Sequence, residues 1–241
     1  MLEETWFEEF EAEGFITDVI MPLKSGKEAS VYLCRATPKT GARLLAVKAF
    51  RPRQARGFKN DAVYKQGRVI TKHRERRAVQ NKTRFGRNLD SGMWSNHEHE
   101  MLTLLHEAGG DVPRPVATTS QAILMEFVGD EDGSAPQLRD VRLSPTEARA
   151  AFDRLVWNVE VFLANNVVHA DLSAYNVLWW ENGPVVIDLP QAVDARTNRN
   201  SHELLARDVE NLCRHFARFG VTTDPARLTS SLWNRYLFAE L

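Results

Sequence analysis

The apolar-rich runs Ser30 to Ala36 and Leu44 to Phe50 flank the polar turn Thr37 to Ala42, which predicts two strands of a small antiparallel sheet near the N-terminus. From Trp94 to Ala108 the period changes: apolar residues at 94, 101, 102, 105 and 108 form a helical stripe, and Glu98 falls on it. Ala122 to Phe127 predicts a further strand, which leads through Val128-Gly129 into a polar stretch ending at Arg142. Ser144-Pro145-Thr146-Glu147 is a capping box with proline at the first helical position. The stripe at 148, 151, 152, 155, 156, 159, 162 and 163 continues that helix, and Val167-Val168 follows it. Two short apolar runs, Val177 to Trp180 and Pro184 to Ile187, flank Asn182-Gly183, the dipeptide of a type I′ hairpin. Leu205, Val209, Leu212, Cys213, Phe216 and Phe219 lie on one face of a helix over Asn200 to Gly220, and Asp224 to Leu241 predicts one more short helix. Lys65 to Asn88 has few apolar residues and no period, which predicts a long flexible insertion, extending to about residue 90.

Composition alters this picture in one place. At 241 residues and 43% hydrophobic content the chain suits a single two-lobed domain with a real core, residues 1–127 forming an N-terminal lobe and 128–241 a C-terminal one. The net charge of −1 conceals 13 Lys or Arg against Asp61 and Glu75 between Arg51 and Arg87, a local balance of +11. Such a block is a solvated loop or a surface for RNA or another polyanion, separate from any small-molecule site. Cys34 and Cys213 lie in no metal-binding spacing, and the longest apolar runs fall far short of a membrane span. These features lead us to expect a soluble, cytoplasmic protein with no membrane partner.

Candidate chemistry concentrates in His169-Ala170-Asp171-Leu172-Ser173-Ala174-Tyr175-Asn176, with Asp188 twelve residues after Asn176. With Asn182 and Gly183 as the turn residues, Val177 faces Asp188, so Asn176 and Asp188 stand together at the open end of the hairpin, and Asp171 lies on the loop entering it. Three oxygen-bearing side chains converging in this way suit magnesium, which takes one or two carboxylates and keeps waters and phosphate oxygens. Kinases place a catalytic-loop Asp, an Asn five residues later and a second Asp after a short hairpin, which is the spacing of Asp171, Asn176 and Asp188. Glu98 on an inward helical face calls for a cationic partner, and Lys48 at the end of Leu44-Leu45-Ala46-Val47 supplies one, with Glu100 as the alternative carboxylate. Ser25 to Tyr32, with the single glycine Gly26, forms a turn able to approach phosphates ahead of that lysine.

Ser25-Gly26-Lys27-Glu28-Ala29-Ser30-Val31-Tyr32, Leu124-Met125-Glu126-Phe127-Val128-Gly129, His169 to Asn176 and Ile187-Asp188 together resemble the RIO family of atypical serine/threonine protein kinases, from about Lys24 to Phe219. The resemblance extends to Ser173, where ordinary protein kinases carry Lys; Pro190 departs from it. It implies a small α+β two-lobed kinase-like fold, with an antiparallel N-terminal sheet and one helix, and a mainly helical C-terminal lobe. With roughly a dozen residues between Asp188 and Ser201 and 53 from Asp188 to the end of the sequence, we expect no activation segment or peptide-docking helices. With about 23 residues before Lys24, we expect the branch of the family without an N-terminal winged helix.

The resemblance also implies ATP with Mg2+, or Mn2+ in its place, held through Asn176 and Asp188. Ser25, Lys27, Glu28, Lys48 and Glu98 would act on the phosphates, and Val31, Met125, the Glu126 carbonyl and the Val128 amide on the adenine. Ser173, Tyr175, Asn176 and Ile187 complete the nucleotide set. Asp171 would align or deprotonate the acceptor, Asp188 would bind metal or itself accept phosphate, and Asp208 matches a position that braces the catalytic loop. Partners implied are ATP, a protein substrate or the chain itself, and RNA or a ribosomal particle through 51–87. Two other readings stand beside this one: a small-molecule phosphotransferase of the aminoglycoside or choline kinase kind, and a nucleotide-gated scaffold on RNA or ribosomes.

Overall fold

The structure is a computed structural model that describes residues 4–51 and 84–241. These divide into two compact units, one holding 4–51, 84–100 and Arg114–Phe127, the other Met101–Pro113 and Val128–Leu241.

In the first unit, helix α1 (Glu4–Ala12) precedes strands β1 (Ile16–Ser25), β2 (Ala29–Ala36) and β3 (Leu44–Phe50); helix α2 (Arg84–Glu107) begins in this unit, and β4 (Pro115–Thr118) and β5 (Ala122–Glu126) complete it. The sheet order is β1-β2-β3-β5-β4, with every pair antiparallel. Side chains alternate across a strand. Leu45 and Val47 accordingly join Cys34, Leu124, Ile16 and the α1 residues Trp6 and Phe10 in one core, while Leu33, Ala46 and Phe127 form a second cluster with Val31 and Met125. β2 begins one residue before the predicted strand, and β3 coincides with it. α1 and β1 have no counterpart in the sequence reading. Most of β1 is exposed on both faces, so it carries no alternation to read.

α2 starts at Arg84, ten residues before the predicted helix, so Arg84 to Asn88 is helical and does not belong to a flexible insertion. Those residues carry no apolar stripe; a helix already nucleated downstream extends through them at one hydrogen bond per residue. The rest of the predicted insertion, and most of the basic segment offered for RNA, lies outside the described residues.

The second unit contains the short hairpin β6 (Gly129–Asp130) and β7 (Gly133–Ser134), helix α3 (Pro145–Ala164), β8 (Val167–Val168), the hairpin β9 (Val177–Trp180) and β10 (Gly183–Val186), β11 (Val193–Asp194), α4 (Ser201–Ala217) and α5 (Pro225–Leu237). The α3 capping box is complete: Glu147 N–H donates to Ser144 Oγ at 3.3 Å, and Ser144 N–H donates to Glu147 Oε2 at 2.8 Å. The α4 stripe Leu205, Val209, Leu212 and Phe216 is buried, with Phe216 edge-on to Phe152 of α3 at 5.5 Å. No helix among the described residues is long and apolar enough to cross a membrane.

Candidate active site

Opposed residues of neighbouring antiparallel strands point the same way. Val31, Lys48 and Ile123 stand opposite one another across β2, β3 and β5, as do Leu33, Ala46 and Met125. Lys48 thus shares a sheet face with Val31, Ala46 and Met125, a partly covered apolar surface with one cation on it. Lys48 Nζ donates to Glu98 Oε1 at 2.7 Å, both side chains being almost fully buried. Ser95, one turn earlier on α2, fixes the helix by donating to Thr119 O at 2.8 Å. Glu100 is exposed, because only Glu98 shares the inward face with Ser95 and Leu102. Removing one partner of such a buried pair typically costs about 3–5 kcal/mol.

The Ser25–Ser30 turn closes on itself, Gly26 N–H donating to Ala29 O at 2.9 Å. Lys27 is exposed at its tip and Glu28 half-buried. At the other end of the sheet face, the Glu126 N–H donates to Arg114 O and the Glu126 carboxylate accepts from Arg114 N–H. Val128 is buried, and its carbonyl accepts from Ala135 N–H.

In the second unit, β8 delivers the chain to His169, and α4 holds the loop that follows. Asp208 is fully buried and accepts Ala170 N–H at 2.7 Å and Leu172 N–H at 2.9 Å. Arg207 donates to Ala170 O, and Asn211 Nδ2 donates to Leu172 O at 3.1 Å. Three side chains of one helix therefore satisfy all four backbone polar groups of the residues on either side of Asp171. His169 Nδ1 accepts Asp171 N–H at 3.3 Å, so its hydrogen is on Nε2, which donates to Ile187 O at 3.2 Å. Asn176 Nδ2 donates to the carbonyl and to Oδ2 of Asp171, at 2.9 and 3.0 Å, leaving Asn176 Oδ1 as the atom able to meet a cation.

The hairpin register differs from the sequence expectation. Glu181 and Asn182, both at positive φ, are the central turn residues, and Val177 pairs with Val186 instead of facing Asp188. A type I′ turn needs left-handed backbone at both central positions. Asn182 takes the second of these, so the first falls to Glu181, and Gly183 opens β10. Asn176 O instead accepts Ile187 N–H at 2.9 Å, with Asp188 next in line. β10 is anchored further by Val186 N–H to Asp111 O; Arg154 binds the Asp111 carboxylate through two nitrogens, and the buried Asn158 accepts Asp111 N–H.

The structure thus brings Asp171, Asn176 and Asp188 together. Asp188 is exposed at a left-handed φ of 71°, and Ala170 at 67°. Such non-glycine conformations cost about 1–3 kcal/mol and persist only where surrounding contacts enforce them. Burial, then the nearby charge of Asp188, pushes the Asp171 carboxyl above the ordinary carboxylate range, opposed by Asn176 and Arg207. Burial likewise pushes Asp208 up to about 8, against the two amides and Arg207. Ser173 Oγ accepts Tyr175 N–H in a local turn. The Tyr175 ring is exposed under the Arg139 guanidinium, 4.2 Å from its centroid, and Gln137 Nε2 donates to Tyr175 O. Pro190 is buried beside Leu189.

Two carboxylates and an amide oxygen are hard donors, and no cluster of three or more His, Cys, Asp or Glu suited to a metal occurs among the described residues. This donor set fits magnesium, which completes its shell with water and phosphate, and fits a softer ion poorly. Sequence reasoning missed Arg207, Asn211, Asn158, Gln137 and Arg139. For one of them a signal exists: Asn158, three residues after Leu155 and four before Phe162, is an amide at the edge of an apolar helical stripe.

The family model described as RIO1, RIO domain, matches residues 30–228. The chain belongs to the RIO family. It is 33% identical over 147 residues to the RIO-type serine/threonine-protein kinase Rio1 of Thermoplasma acidophilum, covering 61% of this chain and 76% of that protein. It is 28% identical over 222 residues to human serine/threonine-protein kinase RIO1, covering 89% of this chain and 36% of that protein. The chain therefore spans three quarters of the archaeal relative and about a third of the human one. Among solved structures, the Rio2 kinase of Chaetomium thermophilum in a complex with ADP, Mg2+ and phosphoaspartate matches with a TM-score of 0.68 at 19% identity, over 97% of this chain and 69% of that one. This last likeness establishes the fold, a small α+β kinase-like architecture.

Proposed function

We propose that this RIO chain is a single kinase domain over 1–241 that uses ATP and magnesium to phosphorylate serine on a protein substrate or on itself. The observation that carries this reading is the convergence of Asp171, Asn176 and Asp188 on a loop whose backbone α4 holds from both sides. Lys48, held by Glu98, orients the phosphates, and the face shared by Val31 and Met125 receives the adenine, with the Glu126 carbonyl and Val128 amide on its edge. Ser25, Lys27 and Glu28 line the phosphate turn; Ser173, Tyr175 and Ile187 shape the loop side. Asn176 and Asp188 would hold the metal, whose positive charge offsets that gathering on the phosphoryl oxygens. Asp171 accepts a hydrogen bond from the acceptor hydroxyl and takes its proton as the new oxygen–phosphorus bond forms and ADP leaves. A carboxyl pushed up by burial is the better base.

A second outcome of the same site is ATP hydrolysis. The phosphoaspartate in the Rio2 neighbour favours it: the Asp188 carboxylate attacks the γ-phosphorus, ADP departs, and water then cleaves the acyl phosphate to restore Asp188 and release phosphate. Incubation with γ-labelled ATP and magnesium tests both outcomes, following free phosphate, label on the chain and label on added basic proteins. Absence of all three overturns the reading; transfer to small hydroxylated acceptors alone would make it a small-molecule phosphotransferase. RNA or ribosomal particles as partners through 51–87, and a cytoplasmic location, rest on charge and composition. RNA affinity that falls linearly with log salt, with a shallower slope in a triple Ala variant of Arg74, Arg76 and Arg77, tests the RNA contact.

A further inference from the structure

Arg51 opens the basic segment that the sequence reads as separate from the small-molecule site, yet it bonds to the Ser25–Ser30 turn. Its Nη2 donates to Ser25 Oγ at 2.6 Å and reaches Ser30 Oγ at 3.4 Å, and the two hydroxyls are themselves 3.4 Å apart. Its backbone N–H donates to Glu28 O at 2.8 Å. Arg51 directly follows β3, three residues after Lys48. One residue therefore joins both stems of the turn and its tip to the strand that carries the phosphate-directed lysine.

With a single glycine, Gly26, the turn cannot wrap an anion by bare backbone on all sides, as a three-glycine loop does. Its shape depends on what holds its side chains. A guanidinium is a rigid fork of donors that fixes two acceptors at once and keeps its charge at any working pH, whereas a lysine is a mobile point charge. Resting on the nucleotide-binding reading above, we propose that Arg51 is a positioning residue for the nucleotide phosphates: it locks the Ser25–Ser30 turn in fixed register with Lys48.

Full-length wild type, Arg51→Gln, Arg51→Lys and Lys48→Ala are to be compared for ATP affinity by calorimetry, hydrolysis at saturating ATP, and melting temperature. We expect Arg51→Gln to bind ATP about tenfold more weakly, the effect of losing a charge-assisted hydrogen bond. Its turnover at saturating ATP and its melting temperature should stay near wild type, and Arg51→Lys should lie between the two in affinity. A purely structural arginine would lower the melting temperature and leave affinity alone, which overturns the proposal. So does unchanged ATP affinity in Arg51→Gln while Lys48→Ala loses it. If Arg51→Gln fails to fold, Arg51→Lys decides: weakened affinity at wild-type melting temperature supports the clamp, and wild-type affinity sinks it. A wild-type chain that binds no ATP overturns the underlying nucleotide reading instead.

Discussion

On either side of Asp171 the backbone is bonded at every polar group, by Asp208, Arg207 and Asn211, with His169 and Asn176 holding Asp171 itself. The Ser25–Ser30 turn relies on its own closing bond and on Arg51. On the function proposed above, the difference follows from what each place would do. Phosphoryl transfer needs attacking and leaving oxygens in line, and a misplacement of about 1 Å can cost 100-fold in rate. On that reading the turn needs only a fixed register with Lys48, which its closing bond and one arginine can supply.

The sharpest way to break this comparison is at the rigid end. Asp171→Asn and Asp188→Asn should each reduce phosphoryl transfer about 10²–10⁴-fold, with folding intact by circular dichroism. Wild-type turnover in either would mean that the chemistry lies elsewhere.

Next in size is the brace. Asp208→Ala leaves two buried amides without their acceptor, at about 1–3 kcal/mol each, and should lower both melting temperature and turnover while ATP affinity stays near wild type. Because burial puts Asp208 up to about 8 in the folded chain, above its ordinary 3.8, the folded state keeps a proton that the unfolded chain releases. That contribution to stability is complete below about pH 4 and is lost as pH rises towards 8. Melting curves across this range should therefore fall more steeply for wild type than for Asp208→Asn; parallel curves would show that Asp208 does not titrate there.

At the looser end, Lys48→Ala should weaken ATP use about tenfold or more, whereas Lys65→Ala and Lys72→Ala should not. Equal effects in all three would move the nucleotide away from β3. The smallest effect belongs to the hairpin that aims Asp188. Glu181 occupies a left-handed position that Asn adopts more readily, so Glu181→Asn should raise the melting temperature by about 2 °C without altering turnover.

How much of this could be read from the chain depended on whether a local pattern existed. The capping box at Ser144, the stripes of α3 and α4, and strand β3 are period-driven, and they appear where the spacing puts them. The inward side of Glu98 follows from its place one turn before Met101 and Leu102. β1 was illegible because it is an exposed edge strand, and the hairpin register slipped because Asn-Gly also accommodates a turn that begins one residue earlier. Arg207 and Arg51 could not be anticipated at all. Each acts across a long sequence separation, on backbone or hydroxyl groups that leave no mark in the side-chain pattern.

The two left-handed residues of the proposed site, Ala170 and Asp188, also limit what mutational drift can reach. In a library scored only for folded protein, glycine should be favoured at buried Ala170, and Asn and Gly should survive at Asp188, because few other residues accept these backbone angles. Scored for turnover, position 188 should collapse to aspartate alone. Lineages that lose catalysis but keep the fold should therefore carry a recognisable scar, Asn or Gly at 188 with an intact Arg207-Asp208 pair behind it.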